Sequence, residues 1–237
     1  MSKDVWRDRT PREAFPADDT IHDCAVLADR GISKQVSRAA LALGLLARMS
    51  GNTAFARAVA FLRAQRQTVT TVESSCGGLI SSGIMAVPGS SAVYYGGSVS
   101  YNTKKARKLL LDDGELHAAL VAGVEPREGE SEADQYIRSK HDWTARTAVA
   151  FCEAMETDYA LAEGGAVGPT FAKEGLTSGF TVLCVAGRSA PGEAAKVLAQ
   201  RLVRSDHAER GRNMQAFAEH AAELLCETIG ADEAAPT

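Results

Sequence analysis

Residues Thr68 to Lys108 read TVTTVESSCGGLISSGIMAVPGSSAVYYGGSVSYNTKKARK, and this stretch decides the fold. A β-branched run, Thr68–Val72, leads into Glu73, Ser74, Ser75, Cys76 and the pair Gly77-Gly78. A helical pattern of small residues starts at once. The order predicts strand, tight turn and helix N-terminus, a geometry in which exposed backbone N–H groups hold an anion or an oxyanion. Ser74 sits in the turn, where a hydroxyl serves as helix cap or as nucleophile. Val87-Pro88-Gly89-Ser90-Ser91 then gives a turn signal. A run of β-formers, Ala92–Tyr101, follows and passes into the cationic segment Asn102 to Lys108.

Outward from this block, helices and strands continue to alternate. Ser33 caps an expected helix over Val36–Met49, Ser50-Gly51-Asn52 breaks it, and Thr53–Gln65 reads as a second helix. Gly123–Asp134 is acidic and contains Pro and Gly, which predicts a loop. Trp143–Glu156 reads as a helix and Tyr159–Ala162 as a short strand, with a glycine-rich loop running to about Ser178. Phe180–Gly187 and Lys196–Arg204 read as strands joined by a turn at Ser189–Gly192, and His207–Ile229 as a long helix. The pattern predicts an α/β fold, a three-layer α/β/α sandwich with a mixed central sheet. The domain is expected over residues 33–230, after an extension at 1–32 and before a tail at 231–237. Ligands in such folds bind where strands end in glycine-rich turns. Ser74–Gly78 and Gly164–Pro169 are therefore expected to face one cleft.

Composition narrows the function classes. The 237 residues carry 45% hydrophobic and 24% charged side chains, ordinary for a globular protein. A net charge of −4 gives no case for nucleic acid as a partner. No apolar run approaches the ~20 residues of a membrane span, and the N-terminal stretch lacks a secretory h-region. A cytoplasmic protein without membrane contact is expected. The five cysteines, at 24, 76, 152, 184 and 226, show no metal-ligand spacing, so no metal is expected.

The motifs Glu73-Ser74-Ser75-Cys76-Gly77-Gly78, Pro88-Gly89-Ser90-Ser91, Tyr101-Asn102-Thr103 and Leu109-Leu110 resemble those of the CinA C-terminal domain family, which includes nicotinamide-mononucleotide amidohydrolases. Weaker matches follow at Gly164–Pro169, at Gly179–Ala186, and at Ser205-Asp206-His207 with Arg210 and Arg212. The resemblance implies a metal-independent amidohydrolase that uses no cofactor, takes a pyridine nucleotide, and assembles as a homodimer or higher homo-oligomer.

An amidase needs a nucleophile, a proton acceptor and oxyanion donors. Ser74 is the expected nucleophile and Tyr101 the expected proton relay. The family's lysine falls on Ala106, so Lys105 is the expected substitute, with Lys104 beside it and Lys108 further on. Cys76, Gly77 and Gly78 are expected to offer backbone donors to an oxyanion or phosphate. Cys76, at a helix N-terminus, is also placed for a lowered thiol pKa. Glu73 is expected to orient the turn or bind a ribose hydroxyl. Gly165, Gly168, Arg210 and Arg212 complete the expected ligand set. Family hydroxyl and arginine positions are replaced by Cys76, Gly164 and His207. These replacements keep open a nucleotide- or phosphate-binding protein without amidase activity, and the extension at 1–32 with the acidic loop at 123–134 keeps open a regulatory or interaction subunit.

Overall fold

The computed structural model describes residues 53–188 and 192–233. The expected extension at 1–32, the Ser33 cap, the Val36–Met49 helix, the break before Thr53 and most of the Ser189–Gly192 turn lie outside them.

Helix α1 (Ala54–Gln65) begins where the Thr53 hydroxyl accepts from the Ala56 N–H at 3.2 Å, an N-cap. It ends at Arg66, whose φ of 56° closes the helix in the left-handed conformation. Strand β1 (Val69–Glu73) follows, then α2 (Leu79–Met85) and β2 (Tyr94–Val99). Short 3₁₀ turns at Thr103–Lys105 and Arg107–Leu109 precede α3 (Gly114–Ala122) and the long α4 (Glu132–Ala154). Strand β3 (Tyr159–Ala166), the small hairpin β4 (Ala172–Lys173) and β5 (Leu176–Thr177), then β6 (Phe180–Gly187), β7 (Lys196–Arg204) and α5 (Arg210–Ile229) complete the order.

The sheet runs β2-β1-β3-β6-β7. β1 is parallel to β2 and to β3, while β3–β6 and β6–β7 are antiparallel. This is the mixed sheet expected. Alternation along the central strands sends side chains to two cores. Val69, Leu161, Leu183 and Val185 meet α1, α2 and α5 on one face. Val72, Ala160, Ala162, Cys184 and Ala186 meet α4 and the end of α3 on the other. Each fully buried leucine or valine adds about 1.5–3 kcal/mol of apolar burial, so strands covered on both faces read as nearly continuous apolar runs.

Several boundaries differ from expectation. Helix α4 begins eleven residues before Trp143, at Glu132, because Ser131 caps it and Glu132 and Asp134 favour its N-terminal dipole. The acidic stretch before it is tied down, with Arg138 donating to Glu130 at 2.6 and 2.7 Å and to the Glu125 carbonyl at 2.6 Å. Strand β3 continues through Gly164 and Gly165 to Ala166. These glycines are strand residues in a crowded sheet. A Cβ on Gly164 would sit 3.0 Å from the Trp143 ring, and one on Gly165 would overlap the Phe180 carbonyl. The expected tail also starts inside the fold: Ala231 is buried and Asp232 accepts from Arg57 at 2.9 Å.

Candidate functional site

Strands β1 and β3 are parallel neighbours, so the chain leaves both at the same sheet edge. A cleft of about 240 Å³ opens there. Ser74 and Ser75 line it from the turn after β1, and Gly165 to Gly168 from the end of β3 and the loop beyond. Tyr101 and Thr103 close one side, Thr170 and Phe171 another, and Arg210 enters from the start of α5. The two glycine-containing segments expected to share a cleft do share it.

The turn between β1 and α2 is set by two glycines and two buried carboxylates. Gly77 and Gly78 take φ of 65° and 99°, a left-handed region that favours glycine. Glu73 is fully buried and faces the start of α2. Its carboxylate accepts from the N–H groups of Gly78 (2.8 Å), Ile80 (3.1 Å) and Ser81 (2.8 Å), and from the Ser81 hydroxyl (2.5 Å). Glu163, on β3, is also fully buried. It accepts from the Ser74 N–H (3.2 Å), the Cys76 N–H (2.8 Å), the Ser75 hydroxyl, and the Thr181 hydroxyl on β6 (2.6 Å). Burying carboxylates is costly unless they are hydrogen-bonded, and these donors meet that need.

This arrangement corrects part of the expected site. The Cys76 and Gly78 N–H groups are already bonded to Glu163 and Glu73 and are not open to an oxyanion. Among the described residues, the Ser75 and Gly77 N–H groups have no acceptor. Glu73 orients the turn and does not line the cleft. The Cys76 thiol is pushed well above its usual pKa, first by burial and then by the charges of Glu163 and Glu73. These two effects outweigh the helix N-terminus that was expected to lower it.

The cations divide in the same way. Arg210 donates to the Gly168 carbonyl at 2.7 Å and to the Tyr101 hydroxyl at 3.4 Å, and its guanidinium lies 5.9 Å from the Tyr101 ring centre. Asn213, one turn on, donates to the Val167 and His207 carbonyls and ties α5 to the loop. Arg212 is exposed and pairs with Glu209 at 3.0 Å, away from the cleft lining. Lys104 and Lys105 are exposed on a 3₁₀ turn, not on an α-helix, and neither lines the cleft. Lys108 pairs with Asp112 at 3.2 Å. Ala106 is 5% exposed and packs in the core with Val72 and Leu110, a position that suits a small apolar residue.

Tyr136, Lys140, Thr170 and Phe171 line the cleft and had no place in the expected site. Tyr136 and Lys140 come from the first half of α4, between the loop expected at Gly123–Asp134 and the helix expected from Trp143, where no element was expected. Ser131 followed three residues later by Asp134 was the available signal for that helix start. Tyr136 packs on Phe171 with ring centres 5.1 Å apart, and the Lys140 ammonium lies 5.0 Å from the Tyr136 ring centre.

Residues 51–121 match the family model of the CinA C-terminal domain. A CinA-like protein of Pseudothermotoga lettingae is 30% identical over 140 residues, covering 59% of this chain and 30% of that protein. A putative competence-damage inducible protein of Streptococcus uberis is 32% identical over 108 residues, covering 44% of this chain and 25% of that one. The chain thus matches under a third of the length of these curated relatives. Among solved structures, a competence-damaged protein superfamily member from Klebsiella pneumoniae superposes with a TM-score of 0.57 at 19% identity, over 75% of this chain and 96% of that one. A competence/damage-inducible protein from Agrobacterium tumefaciens superposes with a TM-score of 0.56 at 21% identity, over 74% and 93%. The resemblance to the CinA C-terminal domain family is borne out over residues 51–121 by the family model, and the chain shares the fold of these solved structures.

Proposed function

We propose that the cleft hydrolyses the carboxamide of nicotinamide mononucleotide or a similar pyridine nucleotide, without a metal, with Ser74 as nucleophile. The observation that carries this reading is the meeting of Ser74, Tyr101 and Arg210, from three separate elements, in one cleft. The Ser74 hydroxyl has no hydrogen-bond partner among the described residues and is half-buried, so it is open to a ligand. Its oxygen adds to the carboxamide carbon, the C–N bond breaks, ammonia leaves with the serine proton, and water releases the acid. Tyr101 relays that proton. The amide of Ser75 is the cleft-lining turn donor left for the oxyanion, and the residue after a nucleophile commonly fills that role. Arg210 contributes positive charge towards the substrate phosphate. The protein acts as a homodimer in the cytoplasm, as the family resemblance implies.

The test is ammonia release from nicotinamide mononucleotide at neutral pH without added metal, with Ser74→Ala beside wild type. A second reading is favoured by the burial of Ala106 and by the absence of Lys104 and Lys105 from the lining. In it, the same cleft binds a phosphorylated nucleotide without hydrolysing it. Binding with no ammonia release from either protein selects that reading.

A further inference from the structure

The charges around the cleft are unbalanced. Lys140 and Arg210 both line it, and no aspartate or glutamate does. Both nearby carboxylates, Glu73 and Glu163, are buried in the turn and occupied by backbone and hydroxyl donors. Lys140 is half-buried, and among the described residues its ammonium has neither a carboxylate partner nor a hydrogen-bond acceptor. It rests instead against the Tyr136 ring, 5.0 Å from its centre. A partly buried cation without a counter-ion leaves its charge uncompensated inside the cleft, and a π face offsets that only partly. Arg210 already uses donors on the Gly168 carbonyl and the Tyr101 hydroxyl, whereas Lys140 has its three N–H donors uncommitted.

We propose that Lys140 is the main anion-binding group of this cleft, that Tyr136 is the platform holding its ammonium there, and that the ligand class is a phosphate monoester of mononucleotide size. This inference rests on the reading of the cleft as a nucleotide site and adds the group that discriminates phosphorylated from unphosphorylated ligands. Two cations and no anion in so small a volume match a dianionic phosphate better than a neutral nucleoside or a free carboxamide.

The test is calorimetric titration of full-length wild type, Lys140→Gln, Lys140→Arg and the control Lys104→Gln. The probes are nicotinamide mononucleotide, nicotinamide riboside and ribose 5-phosphate, with thermal melts to establish that each variant is folded. Lys140→Gln is expected to lose about tenfold or more in affinity for the phosphorylated probes, the worth of one charge-assisted bond. Its affinity for the riboside, a pyridinium cation without a phosphate, does not fall, Lys140→Arg retains most of the phosphate affinity, and Lys104→Gln matches wild type. Mononucleotide affinity in Lys140→Gln within twofold of wild type overturns the proposal. So does a riboside bound as tightly as the mononucleotide, or a wild type that binds neither phosphorylated probe. If ribose 5-phosphate binds in a Lys140-dependent way and the mononucleotide does not bind, the pyridine-nucleotide reading fails while the anion site stands.

Discussion

Glu163 shows how one residue fixes the turn after β1. Its two carboxylate oxygens take four donors from β1's exit turn and from β6, so three strands converge on one side chain. Removing it leaves those donors buried without acceptors, each a penalty of about 1–3 kcal/mol before relaxation. Glu163→Ala is therefore expected to lower unfolding stability by about 3 kcal/mol or more, read from urea denaturation. Thr181→Val, which removes one donor and leaves the carboxylate, is expected to cost about 1 kcal/mol. Equal losses in the two variants would contradict this account. The same carboxylates govern Cys76. Burial and two neighbouring negative charges favour the neutral thiol, and only the thiolate is nucleophilic. Burial also pushes Cys184 up to about 12 and Cys226 up to about 11. Iodoacetamide at pH 8 is expected to leave Cys76, Cys152, Cys184 and Cys226 unmodified in the native protein and to alkylate them in urea, as peptide mass spectrometry would read. Native alkylation of Cys76 would show that the turn opens.

At the scale of elements, helix α4 does most to complete the site. Its first three turns carry Tyr136 and Lys140, and its later turns carry Trp143, Ala148 and Phe151 into the core. Only the later part was legible in the sequence, because its apolar residues recur at helical spacing. The first turns face the cleft and solvent, so they follow no such period, and the acidic residues before them resemble a loop. Strand β3 was likewise read short, since Gly164 and Gly165 look like loop residues until the crowding by Trp143 and Phe180 is known. The β1 turn was legible as a place, while the partners of its amides were not. Glu163 lies about 90 residues away in the chain and meets the turn only through the β1–β3 pairing. The start of α4 also makes a pH prediction. The Arg138 guanidinium holds the Glu130 carboxyl at a pKa of about 2, well below the usual 4.5. A depressed pKa means that this contact contributes fully above the usual carboxylate range and is lost as pH falls towards 2. An NMR titration of the Glu130 carboxyl is expected to show a midpoint near 2, returning to the usual range in Arg138→Gln. A midpoint near 4.5 in wild type would show that the clamp does not persist in solution.

Across the whole molecule, the mixed sheet and its two helical layers were legible because helices and strands alternate and are closed by glycine and proline, whereas the strand order β2-β1-β3-β6-β7 came only from the structure. The CinA-type fold brings the ends of β1 and β3 to one edge, and the start of α5 is tied there by Arg210 and Asn213. Among the described residues, no helix is long and apolar enough to cross a membrane. The proposed amide chemistry is supported by the Ser74 hydroxyl, Tyr101 and the cations Lys140 and Arg210, which this cleft collects. Its least familiar feature is the cation set, because the lysines nearest in sequence to Tyr101 stay outside the cleft and Lys140 comes in from α4. The most direct measurement is ammonia release from nicotinamide mononucleotide by wild type and Ser74→Ala, under neutral conditions with no added metal. The account predicts turnover by wild type and a loss of at least about a hundredfold in the variant, the scale of a removed nucleophile. Equal turnover in both proteins, or none in a folded wild type, would contradict it.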